Sequence, residues 1–86
     1  MSAGREAVYA ALEAVKGIAG TAPESSSLTR DLGLESIDVV DLFFEIEQST
    51  GVVIELNQVI GNAQGSGRRF EDVSIQDLID YLAARA

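Results

Sequence analysis

Three segments of this chain place apolar residues at intervals of three and four, the spacing that puts side chains on one face of a helix. The first segment runs from about Arg5 to Lys16, the second from Ser36 to about Ser49, and the third follows Ser74. The first has Val8, Ala11, Leu12, Val15 and Ile18 on its apolar face, and the third has Ile75, Leu78, Ile79 and Leu82. With one Pro, no Trp and few aromatic residues, the chain is predicted to form an all-α bundle.

Length and charge limit what this bundle can be. With 86 residues, 47% of them hydrophobic, residues 1–86 are expected to form a single domain and a monomer. The net charge is −8, and no Lys or Arg occurs between Asp31 and Gly67, so nucleic acid and anionic membranes would be repelled and partners should be basic. The absence of Cys excludes disulfides and thiolate metal sites, and no signal peptide or long apolar run is present, so a cytoplasmic location is expected.

The second helical segment has more apolar residues than one buried face requires. Leu42, Phe43 and Ile46 form one stripe, and Ile37, Val40 and Phe44 form another at helical spacing. A helix in so small a domain buries one broad face. Either the second stripe is exposed or covered by a partner protein, or Phe44 folds over the edge of the core.

The segments between the helices are predicted to be irregular. Residues 20–35 form a long loop that Leu28 and Leu32 pin to the core, and residues 52–54 form an extended connector without a partner strand. Residues 61–67, followed by the basic pair at 68–69, are typical of a surface insertion. Before the last helix, Ser74 and Asp77 match a helix-capping box, with Val73 sealing the entry and Tyr81 at the core boundary.

The chain lacks the usual means of catalysis. It has no His, no Cys and few basic residues, so an enzyme is not expected. Asp31, Glu35, Asp38 and Asp41 lack the spacing of a calcium loop and are interpreted as a solvated acidic face that binds divalent ions weakly at most. Ser36 stands at the start of the second helix, where its hydroxyl either caps the helix or is chemically modified.

The segment Asp31-Leu32-Gly33-Leu34-Glu35-Ser36-Ile37-Asp38 resembles the Asp-Ser-Leu signature of acyl carrier proteins. The resemblance covers nearly the whole chain and implies that family's bundle of three main helices and one short helix. It also implies that Ser36 is esterified with 4′-phosphopantetheine from coenzyme A, whose thiol carries an acyl group as a thioester. The family's acidic recognition positions match Glu35, Asp38, Asp41, Glu45 and Glu47, and the apolar positions between them match Ile37, Val40 and Phe44. The implied partners are a phosphopantetheinyl transferase and acyl-loading and acyl-transferring synthase enzymes with basic patches.

The chain departs from the family pattern at several positions. Glu35 replaces the usual Asp, Ile37 the usual Leu, and Thr50 a large aromatic residue, for which Phe43 and Phe44 are expected to compensate. The connector has Glu55 in place of Pro, and the segment from Leu56 to Val73 is longer than usual. These differences favour a specialised carrier over the housekeeping fatty-acid one, and the resemblance as a whole implies a role in fatty-acid, polyketide or related specialised biosynthesis. The alternatives are an aminoacyl or peptidyl carrier protein, and an unmodified acidic protein-interaction domain.

Overall fold

Three α-helices build the domain in a computed structural model that describes residues 3–18, 20, 22–56, 58–59 and 72–85. Helix α1 spans Ala3–Lys16, α2 spans Ser36–Thr50 and α3 spans Ile75–Arg85. The described chain contains no strand, so the all-α prediction is confirmed, and the ends of α1 and α2 lie within two residues of those expected. In this part of the molecule, no helix has the length and apolarity needed to span a lipid bilayer.

The apolar faces of the helices meet in one core. The buried members from α1 are Val8, Tyr9, Ala11 and Leu12, those from α2 are Val39, Leu42 and Ile46, and those from α3 are Ile75, Leu78, Ile79, Tyr81 and Leu82. Leu28 joins them from the long loop as predicted, and Leu32 packs partly buried against the same cluster. The stripe predicted to face the core from α2 does so, with Phe43 half-buried at its edge.

Glycines end the first two helices. Gly17 and Gly51 have φ angles of 70° and 77°, the left-handed conformation that terminates a helix and that glycine adopts without steric cost. The Gly51 N–H donates to the carbonyl oxygen of Glu47 at 2.8 Å. Thr50 closes the same end, because its hydroxyl donates to the carbonyl oxygen of Ile46 at 2.8 Å and accepts the Val52 N–H at 3.1 Å. The residue that replaces a large aromatic therefore helps to close the C-terminal end of α2, next to the C-cap Gly51.

The connector after α2 is extended, as predicted. Ile54 is buried, whereas Val53 is exposed. The Val59 N–H then donates to the carbonyl oxygen of Glu55 at 3.1 Å, a hydrogen bond of helical spacing. The resemblance implied a short helix without assigning it to particular residues. The predicted insertion at residues 61–67 and the basic pair at 68–69 lie outside the described residues.

One expectation about α3 was wrong. Tyr81 was placed at the core boundary, but its side chain is only 2% exposed. Its hydroxyl lies 3.2 Å from the carbonyl oxygen of Val53 and 3.1 Å from Oε1 of Gln58, so the buried phenol is hydrogen-bonded to the connector. Burial is tolerated because this polar atom has partners.

The long loop is fastened to the start of α3. The Leu28 N–H donates to the carbonyl oxygen of Val73 at 2.9 Å, and the Ile75 N–H donates to that of Ser26 at 3.1 Å, which forms an isolated antiparallel bridge. An ion pair between Arg30 and Asp72 at 2.5 Å reinforces the contact. The loop that leads to Ser36 is therefore an ordered part of the fold.

Candidate attachment site

The approach to α2 is a compact turn that buries one residue and exposes the next two. The Asp31 carboxylate accepts the backbone N–H of Ser27 at 2.7 Å, and the Leu34 N–H donates to the carbonyl oxygen of Leu28 at 3.0 Å. Between them, Gly33 has a φ angle of 75°. This left-handed residue turns the chain so that Leu34 enters the core while Glu35 and Ser36 face solvent.

Glu35, and not Ser36, is the N-cap of α2. Glu35 and Asp38 adopt the reciprocal arrangement of a capping box, in which the side chain of each faces the backbone N–H of the other. The Glu35 N–H donates to Oδ2 of Asp38 at 3.0 Å. The interpretation of Ser36 as the helix cap is thus wrong, because the residue before it occupies the cap position.

Ser36 is instead the first residue of α2, and its side chain is exposed. Within the described chain, its hydroxyl forms no hydrogen bond, and the backbone N–H groups of Ser36 and Ile37 have no acceptor. Such N–H groups at the start of a helix, together with the positive end of its dipole, favour an anionic group. An exposed hydroxyl beside free N–H donors fits the attachment of a phosphate ester.

Lys16 links the C-terminal end of α1 to the first turn of α2. Its Nζ lies 3.4 Å from Oδ2 of Asp38. The pKa of Asp38 is lowered, chiefly because its carboxylate accepts the Glu35 N–H and also because of the Lys16 ammonium, while partial desolvation acts in the opposite direction. The ionised Asp38 carboxylate therefore stabilises the start of α2 at neutral pH.

The second apolar stripe of α2 faces solvent. Ile37 is 67% exposed, Val40 is 64% exposed and Phe44 is 57% exposed. The alternative that Phe44 folds over the core edge is therefore wrong, and this residue does not compensate for the aromatic residue missing at position 50. These three side chains, which we call the docking stripe, begin one residue after Ser36.

Acidic side chains flank the docking stripe. Asp41 and Glu45 are exposed and Glu47 is half-buried. None of them forms an ion pair with a described residue, because the described cations lie elsewhere: Arg5 pairs with Glu24, Lys16 with Asp38 and Arg30 with Asp72, while Arg85 stacks on Tyr81. This face of α2 therefore carries a negative charge that no Lys or Arg among the described residues neutralises.

The acidic residues that the structure describes do not converge on a metal-binding position. In the described ranges, no group of three or more carboxylates is placed to hold an ion. Sequence reasoning also missed two residues that shape the site, namely Leu34, which anchors the turn, and Lys16. The sequence signal for Leu34 is the alternation Leu32-Gly33-Leu34-Glu35, in which every second residue has an apolar side chain. Lys16 reaches Asp38 through a contact between helices, which no local pattern encodes.

Three packed helices, with an exposed serine at the head of an acidic helix, define the class of small helical carrier domains. A family model described as the phosphopantetheine attachment site matches residues 6–82, and the chain belongs to this family. The family carries covalently attached 4′-phosphopantetheine, and its carrier domains are generally not catalytic. No curated protein and no solved structure matches the chain significantly.

Proposed function

We propose that this chain is an acyl carrier protein and that Ser36 is the residue to which 4′-phosphopantetheine is attached. The observation that carries the proposal is the exposed, unbonded Ser36 hydroxyl at the first position of α2. A serine used for capping would have its oxygen occupied, but Glu35 caps this helix and leaves Ser36 free for reaction.

The chain contributes the nucleophilic oxygen of Ser36 and the backbone N–H groups that face the new phosphodiester. In the loading step, Oγ of Ser36 attacks the β-phosphorus of coenzyme A, a phosphodiester forms, and adenosine 3′,5′-bisphosphate leaves. We assign the base that accepts the serine proton to the transferase, because no side chain of the described residues is hydrogen-bonded to the Ser36 hydroxyl. The free N–H groups of Ser36 and Ile37 stabilise the negative charge of the phosphodiester. When bound, the prosthetic group supplies a thiol that carries the cargo as a thioester.

The turn before Ser36 favours an acyl cargo over an aminoacyl one. Aminoacyl and peptidyl carriers favour a Gly-Gly-His/Asp-Ser setting, which Gly33-Leu34-Glu35-Ser36 fits less well. The departures at Thr50 and Glu55 support a specialised carrier over the housekeeping fatty-acid one. An adenylating enzyme that loads an amino acid onto this chain would favour the aminoacyl alternative.

The docking stripe and its flanking carboxylates support transient binding to basic partner enzymes. The apolar side chains of Ile37, Val40 and Phe44 supply contact area that water otherwise covers. Glu35, Asp38, Asp41, Glu45 and Glu47 provide the charge that steers Arg and Lys patches toward Ser36. Charge at an exposed surface raises the encounter rate more than it prolongs the complex, which suits a carrier that visits several enzymes.

The direct test is the intact mass of the protein after incubation with coenzyme A, magnesium and a broad-specificity phosphopantetheinyl transferase. We expect a gain equal to one phosphopantetheinyl group, and no gain for Ser36→Ala. If several transferases leave the wild-type mass unchanged, the acidic interaction-domain alternative replaces the carrier proposal.

The docking stripe is tested by Phe44→Ser. We expect an increase of about ten-fold in the KM for transferase loading, because truncation of an exposed aromatic anchor removes contact area without disturbing the core.

The steering charge is tested by the charge reversal Asp41→Lys. This variant should also be loaded more slowly than wild type, and the difference should be larger at low salt, where charges are screened less. The control is Glu13→Lys on the exposed face of α1. Equal loading by all variants, with unchanged unfolding midpoints, would contradict docking on α2.

A further inference from the structure

Lys16 is the only lysine in the chain, and its ammonium group lies close to the start of α2. Its Nζ is 3.4 Å from Oδ2 of Asp38, and that same oxygen accepts the Glu35 N–H at 3.0 Å. Three backbone bonds join the Glu35 nitrogen to the Ser36 nitrogen, a span of at most about 4 Å. The Lys16 ammonium is therefore within about 11 Å of the Ser36 nitrogen.

The ion pair with Asp38 holds Lys16 only loosely. A charge-assisted bond between an ammonium and a carboxylate is normally about 2.7–2.9 Å long, whereas this one is 3.4 Å. The Lys16 side chain is 42% exposed, and ion pairs at such exposure contribute little to stability. Asp38 also has a second partner, the Glu35 N–H. On its flexible four-carbon stem, the ammonium can therefore turn to another anion nearby.

The other described cations are engaged elsewhere. Arg5 and Arg30 pair with acids of the long loop and of the segment before α3, and Arg85 stacks on Tyr81. Arg5 is eleven residues before Lys16 on α1, which is about 16 Å along the helix axis. Among the described residues, Lys16 is the cation whose ion pair reaches α2.

A phosphodiester on Ser36 needs such a cation. Its attachment adds one negative charge beside the carboxylates of Glu35 and Asp38, and like charges at this spacing repel. The backbone N–H groups at the start of α2 offer only about half an elementary charge in compensation. A full positive charge within reach of Ser36 offsets the rest.

We propose that Lys16 is the counter-ion of the phosphodiester on Ser36, and that its ammonium turns from Asp38 to the phosphate once the group is attached. This inference rests on the proposed carrier function. Lys16 is then a positioning residue, because it ties the base of the prosthetic group to the end of α1. Asp38 keeps its bond to the Glu35 N–H, so the cap of α2 is retained.

The first test compares thermal unfolding midpoints before and after loading with phosphopantetheine. In the unmodified protein, we expect Lys16→Gln to lower the midpoint by about 2 °C, because one exposed ion pair is lost. In the loaded protein, we expect a loss of about 5 °C, because the ammonium then offsets the charges of both the carboxylate and the phosphate. Lys16→Arg, which keeps the charge, should restore the wild-type midpoint in the loaded protein.

The matched control is Arg5→Gln. Arg5 lies on the same helix and also forms an exposed ion pair with an acid, but at the opposite end of α1. Its removal should lower the midpoint equally before and after loading.

The second test observes the contact by NMR. Because the chain has one lysine, selective ¹³C labelling of lysine gives a single Cε signal, and this measurement needs no variant. We expect the Lys16 signal to move when the wild-type protein is loaded. The ³¹P signal of the loaded protein should move in Lys16→Gln and stay in place in Arg5→Gln.

The outcomes separate the two proposals. If the protein is loaded but Lys16→Gln lowers the midpoint equally in both forms, or the Lys16 signal does not move, the counter-ion role is refuted and the carrier function stands. If the wild-type protein gains no mass with any transferase, the carrier function fails and this inference fails with it.

Discussion

Helices α2 and α3 both begin near a serine followed by isoleucine, yet their N-termini are built differently. At α3, the first N–H groups are all used: Ile75 donates to Ser26, Gln76 donates to Glu24 at 2.8 Å, and Asp77 donates to the Ser74 hydroxyl at 3.2 Å. The Ser74 N–H in turn donates to the Asp77 carboxylate at 2.9 Å, which confirms the predicted capping box.

At α2, the corresponding serine is displaced by one position. Glu35 takes the cap, and Ser36 becomes the first helical residue, with a hydroxyl and an N–H that no described group engages. The difference teaches that a serine at a helix start is structural when its oxygen closes the helix and available for chemistry when a neighbour does so.

The largest stability effect is expected at the turn that delivers Ser36. Gly33→Ala places a side chain at a φ angle of 75°, where nothing blocks the new Cβ but the backbone conformation itself costs about 1–2 kcal/mol. We expect this loss in chemical denaturation, together with slower loading. Gly20→Ala is the matched control, since Gly20 has equal space and no positive φ. Equal stability of the two variants would show that Gly33 is not needed for the turn.

The next effect distinguishes the structural serine from the reactive one. Ser74→Ala removes the acceptor for the Asp77 N–H and should lower the free energy of unfolding by about 1 kcal/mol, while loading with phosphopantetheine still goes to completion. Urea denaturation and intact mass measure the two quantities. A loss of loading in a folded Ser74→Ala protein would contradict the separation of roles.

Ser36→Ala should have the converse effect. Because its hydroxyl holds no hydrogen bond in the described structure, we expect the free energy of unfolding to change by less than about 0.5 kcal/mol. Urea denaturation of the unmodified protein is the measurement. A loss as large as that in Ser74→Ala would show that Ser36 also supports the helix.

The smallest effect concerns pH. The lowered pKa of Asp38 means that its contribution to stability is present above the ordinary aspartate value of 3.8 and is lost as the pH falls through the lower folded value. Asp38→Asn should therefore flatten the decline of unfolding free energy in that acidic range. Asp41→Asn, an exposed aspartate of the same helix, is the control. An unchanged pH profile in Asp38→Asn would contradict the contribution of the carboxylate to the cap.

Local patterns predicted the helices and much of the site. Helical spacing located α1, α2 and α3 and separated the buried stripe of α2 from the exposed one, because burial follows the period of the helix. The box at Ser74 was also predicted correctly, since both of its partners lie within four residues. Glu35 and Asp38 have the same spacing as Ser74 and Asp77. Because serine is a commoner N-cap than glutamate, the sequence pointed to Ser36 as the possible cap of α2.

Contacts between distant segments could not be predicted from local patterns. Tyr81 is buried because it meets Val53 and Gln58, more than twenty residues earlier in the chain. The bridge from Leu28 to Val73 and the pair of Lys16 with Asp38 likewise join separate elements. Such contacts depend on how the helices pack against one another, and the spacing of residues along the sequence does not reveal that packing.

The most direct measurement is mass-spectrometric localisation of the prosthetic group in protein isolated from its native cell. The account predicts phosphopantetheine on the peptide that contains Ser36, and none on the peptide that contains Ser74. Unmodified protein from cells whose loading enzymes are active, or a group attached to any other residue, would contradict it.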